Sequence, residues 1–313
     1  MLSILQEVNL DKKEIRDQAA SLRGKNHMGS NMPLNKTMDG KISSNSNMRV
    51  LSVTSGKGGV GKTNFVTNLA YVLSKFGKNV YIFDADIGLA NIDVLLGLTP
   101  EYNLQHVLNG EKSINEIIVN GPGNIKIFPA SSGIQELSEL NDEQKIHLLS
   151  EFGSLKDEID FMFIDTGAGI SSNVMYFNMA AREKIVVVTP EPTSITDAYA
   201  IMKVMSKKYS IDRFKLVANQ VKNETEADEL YANLNSVAER FLDITIDFTG
   251  YICRDHNIVK SVRKQRLVTE LYPESPSSLC FVRLAKAILE NAPEDSISGN
   301  IEFFWNNLLD VSS

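Results

Sequence analysis

Residues that commonly build metal centres or disulfide frameworks are scarce in this 313-residue chain. Its two cysteines, Cys253 and Cys280, are too few and too widely separated in the sequence to indicate a zinc site or a disulfide scaffold. They are instead typical of small packing residues in a reducing compartment. The four histidines show no helical i, i+4 pairing, so the sequence predicts no histidine metal site.

Long apolar runs and an excess of positive charge are also lacking. No stretch reaches the roughly 18 consecutive apolar residues that a membrane-spanning helix needs. The first residues lack the basic start and apolar centre of a signal peptide, so we expect a cytoplasmic location. The net charge of −7 disfavours a protein that coats nucleic acid, because such binding depends on Lys and Arg neutralising phosphates.

Four segments differ in composition. Residues 1–23 carry a short amphipathic pattern, and residues 24–48 are rich in Asn, Ser, Gly and Lys. This composition predicts an N-terminal peptide on a flexible linker. Residues 49–291 form the candidate globular domain, and residues 292–313 follow it as a C-terminal tail.

Short apolar runs alternate with helix-length segments through the candidate domain. Runs such as YIF, FMFI and IVVV lack strict polar–apolar alternation, as expected for strands covered by helices on both faces. Strands that alternate with helices pair in parallel through right-handed crossovers. We therefore predict a doubly wound α/β domain, with a mostly parallel sheet flanked by helices and ligands bound at the carboxyl ends of its strands.

The most informative stretch is GKGGVGKT at residues 56–63, which fits the phosphate-binding loop pattern between an apolar run and a helix-like segment. Its glycines allow positive φ angles and leave the backbone amides open to a polyphosphate. Lys62 is suited to bind the β- and γ-phosphates, and the Thr63 hydroxyl to coordinate Mg²⁺. The predicted nucleotide-binding residues of the loop are Gly56, Lys57, Gly58, Gly59, Val60, Gly61, Lys62, Thr63 and Asn64.

Acidic residues follow two further apolar runs. Asp84 and Asp86, in DADIGLANID, stand at a predicted strand exit, where one can organise the water shell of Mg²⁺ and the other can activate water. The alternative is that they cap the following helix. Asp165, in FIDTGAGI, ends another apolar run and is a candidate metal ligand. With the loop, these aspartates predict a magnesium-dependent nucleotide hydrolase.

The lysine at the second loop position, together with DADIGLANID and DTGAG, resembles the deviant Walker loop of the MinD/ParA class of ATPases. The resemblance implies a P-loop NTPase that binds ATP and Mg²⁺ and dimerises on ATP, with Lys57 reaching the partner's phosphates. It also implies that Asp86 activates water, with Lys57 and Lys62 as the other catalytic residues, and that Asp84 lies on the magnesium side. Asn219, in LVANQ, matches the asparagine that recognises adenine; outside the resemblance it would be an ordinary turn residue.

Two further segments narrow the resemblance to the FlhG (FleN/YlxH) family of flagellar-number regulators: DQAASLR at residues 17–23 and SVRKQRLVTELYPESPSS at residues 261–278. The resemblance implies that the N-terminal helix stimulates the GTPase FlhF, with Gln18 in the leading role and Asp17 and Arg23 positioning it. Without the family resemblance, this segment would be interpreted as an N-terminal helix that simply frays. Flagellar switch proteins and a flagellar transcriptional activator are further partners in some relatives.

The segment NIEFFWNNLLD at residues 300–310 places most of its large apolar side chains in one helical arc. The predicted membrane-anchoring residues are Phe304, Trp305, Leu308 and Leu309. This arc matches the membrane-targeting tail of the family, but the segment has no Lys or Arg. We therefore expect weak peripheral contact with the inner face of the cell membrane, effective when two tails act together in the ATP dimer. The alternative is a helix packed against its own domain.

Other functions share the predicted fold. A ParA-type DNA-partitioning ATPase or a MinD-type division-site ATPase are the nearest alternatives. The basic run that could meet DNA comprises Arg254, Lys260, Arg263, Lys264 and Arg266. The acidic balance of the chain and its Trp/Phe tail disfavour the DNA alternative, so no specific nucleic acid is expected. For this basic run we expect an acidic protein partner instead. An iron–sulfur carrier would need paired cysteines bridging a dimer, which the two cysteines do not offer.

Overall fold

The computed structural model describes residues 48–86, 91–129 and 158–291, together with the single positions 143, 147, 150, 151, 154 and 155. The DQAASLR segment, the linker up to residue 47 and the tail at 292–313 lie outside the described residues. Most of the helix expected before residue 160 also lies outside them. The interpretations of these segments therefore stay predictions.

An eight-stranded sheet forms the centre of the described domain, in the strand order β3-β4-β2-β5-β1-β6-β7-β8. The strands are β1 Arg49–Ser55, β2 Val80–Ala85, β3 Val119–Asn120, β4 Lys126–Phe128, β5 Phe161–Ala168, β6 Glu183–Val188, β7 Arg213–Val221 and β8 Thr245–Cys253. Every neighbouring pair is parallel except β3 and β4, which are antiparallel. The prediction of a doubly wound, mostly parallel sheet is confirmed.

Helices cover both faces of this sheet. They are α1 Lys62–Lys75, α2 Ile92–Leu96, α3 Leu104–Leu108, α4 Ile114–Ile117, α5 Ser172–Ala180, α6 Pro192–Tyr209, α7 Glu224–Phe241, α8 His256–Arg263, α9 Val268–Leu271 and α10 Pro276–Glu290. None of these described helices is long and apolar enough to cross a lipid bilayer.

Burial on both faces explains why the continuous apolar runs become strands. All six residues of β2 are buried, as are the last six of β1. On one face, Phe65 of α1 and Phe281 of α10 pack with their ring centroids 6.3 Å apart. On the other, Phe177 of α5 packs on Phe83 of β2 at 5.5 Å. The two-sided cover leaves mainly the strand ends and edges available for polar chemistry.

Charged side chains join the amino ends of the central strands. Arg49, the first residue of β1, donates two hydrogen bonds to Glu183, the first residue of β6, at 2.8 and 2.7 Å. Lys215 of β7 lies 3.6 Å from the same carboxylate. Arg49 also donates through Nη1 to the carbonyl of Ile288 in α10. This hydrogen bond therefore connects the start of β1 to the end of α10, at the end of the sheet opposite the phosphate loop.

The two cysteines, although 27 residues apart in the sequence, meet where β8 ends and α10 begins. Their sulfur atoms are 3.6 Å apart, and both are free thiols. Cys280 belongs to the main apolar cluster and is 4% exposed. Burial raises the pKa of Cys253 to about 12. A protonated, packed thiol is therefore expected at neutral pH.

Candidate functional site

The phosphate loop connects β1 directly to α1, which begins at Lys62. Gly61 precedes the helix with a φ of 92°, a conformation that residues with a Cβ atom rarely adopt. Gly56 is needed for a different reason, because a Cβ atom there would lie 2.1 Å from a backbone carbon of Asp197 in α6. Lys62 Nζ donates to Ser55 Oγ at 2.9 Å, which folds its ammonium group back toward the end of β1.

The loop opens into a cavity of about 820 Å³, a volume typical of small-molecule sites. The predicted site residues that line it are Gly58, Gly59, Gly61, Lys62, Thr63, Asn64 and Asp86. Gly167 and Ala168, from the end of β5, also line the cavity. The fold thus brings the loop, the DADIGLANID segment and the DTGAG segment to one place at the carboxyl ends of three adjacent strands.

Asp165 in β5 is a buried carboxylate beside this cavity. It is 1% exposed and lies in register with Asp84 of β2. Neither of its oxygens has a well-formed hydrogen bond with another described residue. Burial raises the pKa of Asp165 to about 7, opposed by the Thr63 hydroxyl and the Lys62 ammonium group. Buried oxygen atoms without a well-formed hydrogen bond suit Mg²⁺, so Asp165 and Thr63 fit that ion.

Asp84 is also buried, but its carboxylate oxygens already accept hydrogen bonds. The donors are the backbone amides of Asp86, Asn91 and Ile92, at 3.2, 3.2 and 3.4 Å. Burial and the nearby Asp165 carboxylate raise the pKa of Asp84 to about 8, although these bonds oppose the shift. The contacts are those of a residue that holds Asp86 and the start of α2 in place, as in the alternative capping interpretation. The magnesium-side role of Asp84 stays a prediction.

Asp86 faces the cavity. Its Oδ2 lies 3.5 Å from the Nδ2 of Asn91, which also lines the cavity. A Cβ atom at Gly167 would lie 3.0 Å from Asp86 Oδ1, so the glycine leaves space for this carboxylate. Burial raises the pKa of Asp86, opposed by the Lys62 ammonium group and the Asn91 side chain. A raised pKa makes the carboxylate a stronger base, which suits the predicted role in activating water.

The side chain of Lys57 has different contacts from that of Lys62. Its Nζ contacts Glu191 Oε2 at 2.5 Å and Thr193 Oγ1 at 3.1 Å, and its side chain is 39% exposed. Lys57 is not among the residues that line the cavity of its own chain. Its exposure is compatible with the predicted contact across a dimer, which stays a prediction.

Asn219, at the end of β7, is 6% exposed and is hydrogen-bonded to the phosphate loop. Its Nδ2 donates to the carbonyl of Val60 at 2.7 Å, and its Oδ1 accepts from the amide of Gln220 at 2.9 Å. The same amide excludes a side chain from Gly61, where a Cβ atom would lie 2.8 Å from Nδ2. One N–H and one lone pair of the amide remain for the predicted contact with adenine.

Some polar contacts near the site had little or no signal in the sequence. Glu191 becomes the partner of Lys57 only because α6 begins beside the loop. Asn68, on the buried face of α1, accepts from both the amide and the hydroxyl of Thr269 and donates to the carbonyl of Asn64. A polar residue on the apolar face of an amphipathic helix was the available signal for this network.

Comparisons with known proteins agree with this geometry. Residues 51–268 match the CobQ/CobB/MinD/ParA nucleotide-binding domain family. The antiactivator FleN of Pseudomonas aeruginosa is 41% identical over 262 residues, which cover 84% of this chain and 94% of FleN. The flagellum site-determining protein YlxH of Helicobacter pylori is 33% identical, over 84% of this chain and 90% of YlxH. The septum site-determining protein MinD of Pyrococcus horikoshii, solved with Mg-ADP, is similar with a TM-score of 0.58 and 25% identity, over 76% of this chain and 95% of MinD.

The matched range contains the phosphate loop, both acidic segments and Asn219. It also contains strands β2 to β8 and all but the first two residues of β1. The similarity to FleN and YlxH extends over most of the length of both relatives. The chain therefore belongs to the MinD/ParA family of P-loop ATPases, and within it to the group of FleN and YlxH.

Proposed function

We propose that this protein is a magnesium-dependent ATPase whose ATP-bound homodimer regulates the number or placement of flagella. The flagellar part rests on the similarity to FleN, an antiactivator, and to YlxH, a flagellum site-determining protein. The enzymatic part rests on one observation above the others. The buried carboxylate of Asp165 has no well-formed hydrogen bond with another described residue and lies near Lys62 and Thr63, where Mg²⁺ would satisfy it.

Each side chain in the cavity has a distinct task in this proposal. The loop amides and Lys62 bind the β- and γ-phosphates, while Thr63 and Asp165 hold Mg²⁺. When bound, Mg²⁺ neutralises the charge of the phosphate oxygens. Asp86 orients the attacking water and accepts its proton, helped by its raised pKa. Asp84 holds the Asp86 segment in place through its three backbone contacts.

In this proposal, ATP binding and hydrolysis determine when the two copies associate. The energy of hydrolysis drives no reaction on a second substrate. In the proposed dimer, Lys57 leaves Glu191 and Thr193 of its own chain and contacts the phosphates of the partner. Hydrolysis removes the γ-phosphate and with it the contact that holds the two copies together. The tail at 292–313 gives the dimer a weak peripheral contact with the cell membrane, because two tails bind more tightly than one.

Replacement of Asp86 by alanine tests the catalytic assignment. Asp86→Ala is expected to lower ATP turnover by at least about 100-fold, the usual contribution of a general base. The variant should still bind Mg-ATP, because Lys62, Thr63 and Asp165 are unchanged. Asp228→Ala, at an exposed position of α7, is the matched control and should keep normal turnover. Undiminished turnover in Asp86→Ala would remove Asp86 from the mechanism.

The N-terminal segment is proposed to stimulate the GTPase FlhF. A peptide of residues 1–23 should accelerate GTP hydrolysis by FlhF, because the carboxamide of Gln18 can orient an attacking water. A Gln18→Ala peptide should lose this effect, and a Gln6→Ala peptide serves as the control. Equal stimulation by all three peptides would exclude the Gln18 side chain from the reaction.

A further inference from the structure

Asn68 is a fully buried polar residue of α1, one helical turn after Asn64. Its Oδ1 accepts hydrogen bonds from the amide and the hydroxyl of Thr269 in α9, at 3.1 and 2.8 Å. Its Nδ2 donates to the main-chain carbonyl and to the side-chain oxygen of Asn64, at 2.8 and 3.0 Å. Both N–H groups and both lone pairs of this carboxamide are therefore used.

Two main-chain groups determine which way round the Asn68 carboxamide lies. The amide N–H of Thr269 can only donate, so it requires the oxygen of Asn68. The main-chain carbonyl of Asn64 can only accept, so it requires the nitrogen of Asn68. A carboxamide turned by 180° would place nitrogen against an N–H and oxygen against a carbonyl. The orientation of Asn68 is therefore determined by the backbone of two helices.

This orientation determines that of the Asn64 side chain in turn. Because the second N–H of Asn68 meets Asn64 Oδ1, the oxygen of Asn64 is turned toward Asn68 and its nitrogen away from it. Within the part of the chain that the structure describes, no residue accepts a hydrogen bond from this nitrogen. Asn64 is half-buried and lines the nucleotide cavity. Its two N–H groups are therefore available to a ligand in that cavity.

The position of Asn64 suits a phosphate group. It is the third residue of α1, directly after the phosphate loop, where the free amides and the dipole of a helix favour an anion. Phosphate oxygens only accept hydrogen bonds, so they bind the nitrogen of a carboxamide and repel its oxygen. The orientation of the Asn64 carboxamide therefore affects affinity directly.

We propose that Thr269 and Asn68 are positioning residues for nucleotide binding. Their hydrogen bonds hold the Asn64 carboxamide with its nitrogen toward the cavity, where it donates to a phosphate oxygen of the bound nucleotide. Thr269 acts on the site through two side chains, although it follows Asn68 by 201 residues in the sequence. The proposal rests on the nucleotide binding in the proposed function, but not on hydrolysis, dimerisation or a flagellar role.

The affinity of the full-length protein for Mg-ADP, measured by calorimetry, tests this chain of contacts. Asn64→Ala should weaken binding about tenfold, because a hydrogen bond to a charged group is lost. Asn68→Ala should weaken it about threefold, as expected when only about a third of the molecules hold the Asn64 donor in place. The double variant should bind like Asn64→Ala alone, because there is no longer a carboxamide to orient. With Mg-ATP, the KM of Asn68→Ala should rise while kcat stays unchanged.

Thr269 offers a milder change in the same network. Thr269→Val removes the hydroxyl but keeps the shape and the main-chain donor, and should weaken Mg-ADP binding about twofold. Thr269→Ser keeps the hydroxyl and should bind like the wild-type protein. In the Asn64→Ala background, Thr269→Val should have no further effect. These variants give the same comparison if Asn68→Ala does not fold.

Asn178→Ala is a closely matched control. Asn178 in α5 is also fully buried, accepts from the hydroxyl of Ser52 at 2.8 Å and donates to the carbonyl of Val174, one turn earlier, at 2.7 Å. Val174 lines the same cavity but has no carboxamide to orient. Asn178→Ala should therefore lower stability as Asn68→Ala does, while the affinity for Mg-ADP stays unchanged.

Undiminished affinity in Asn64→Ala would overturn the proposal. So would a loss of about thirtyfold in the double variant, or equal losses in Asn68→Ala and Asn178→Ala, because Asn68 would then act only on the stability of the fold. In each of these cases nucleotide binding by the wild-type protein, and with it the proposed function, would stand. A wild-type protein that binds no Mg-ADP would instead overturn the proposed function itself.

Discussion

At the amino ends of β1 and β6, Arg49 and Glu183 share two hydrogen bonds, and a third nitrogen of Arg49 reaches the carbonyl of Ile288. At the carboxyl end of β5, the carboxylate of Asp165 is more buried than Glu183 but has no well-formed hydrogen bond with a described residue. Both ends carry buried charge. The difference teaches that the charged groups at the amino end are paired within the chain and stabilise the fold. The carboxyl end instead leaves a carboxylate available to a ligand.

The largest effect on stability is expected at the amino end. Arg49→Met removes the main partner of a buried carboxylate and should lower the free energy of unfolding by about 3 kcal/mol. Chemical denaturation of the nucleotide-free protein measures this change. Arg213→Met is the control, because its ion pair with Asp247 is exposed and is worth less than about 1 kcal/mol. Equal effects of the two variants would contradict the distinction between the two ends of the sheet.

A smaller effect of opposite sign is expected at the carboxyl end. Asp165→Asn removes a buried carboxylate that has no well-formed hydrogen bond with the described residues and should raise the free energy of unfolding without nucleotide by about 1 kcal/mol. In contrast, Mg-ATP at 100 times its dissociation constant should stabilise the wild-type protein by about 2.7 kcal/mol and the variant much less. Thermal unfolding with and without Mg-ATP measures both values. A destabilised nucleotide-free variant would show that Lys62 and Thr63 already satisfy the carboxylate of Asp165.

The smallest effect on stability is expected at Lys57. Its pair with Glu191 is exposed on both sides, so Lys57→Gln should change the free energy of unfolding by less than about 0.5 kcal/mol. ATP turnover and the ATP-dependent dimer should nevertheless be lost, which sedimentation and phosphate release can measure. Lys203→Gln, at an exposed position of α6, should change neither property. Normal turnover in Lys57→Gln would remove the proposed contact across the dimer.

The central strands and the phosphate loop could be predicted from the sequence, because their determinants are local. Continuous apolar runs mark strands that are covered on both faces, and GKGGVGKT marks a loop that only glycines can form. Strand β3 was not predicted, since two residues of mixed polarity carry no periodic signal. The short helices α2, α3 and α4 were missed for a similar reason, because four or five residues show little more than one helical turn.

The candidate site likewise has features that the sequence predicted and features that it did not. The sequence predicted that the loop and Asp86 would meet, because the carboxyl ends of adjacent parallel strands lie at one edge of a sheet. It did not predict which hydrogen bonds each aspartate would make. Asp84 and Asp165 are neighbours in register, yet one accepts three backbone amides and the other none. That difference depends on where the amides of Asp86, Asn91 and Ile92 lie relative to Asp84, which the residue types alone do not specify.

The contact between Arg49 and Ile288 places the start and the end of the described domain side by side. A chain whose ends meet can be closed by a short linker and opened elsewhere, so this domain is a good candidate for circular permutation. The exposed turn at Asn109 and Gly110, between α3 and α4, is a suitable place for the new ends. A reporter attached at the exposed residue 291 would likewise sit at the opposite end of the sheet from the nucleotide cavity.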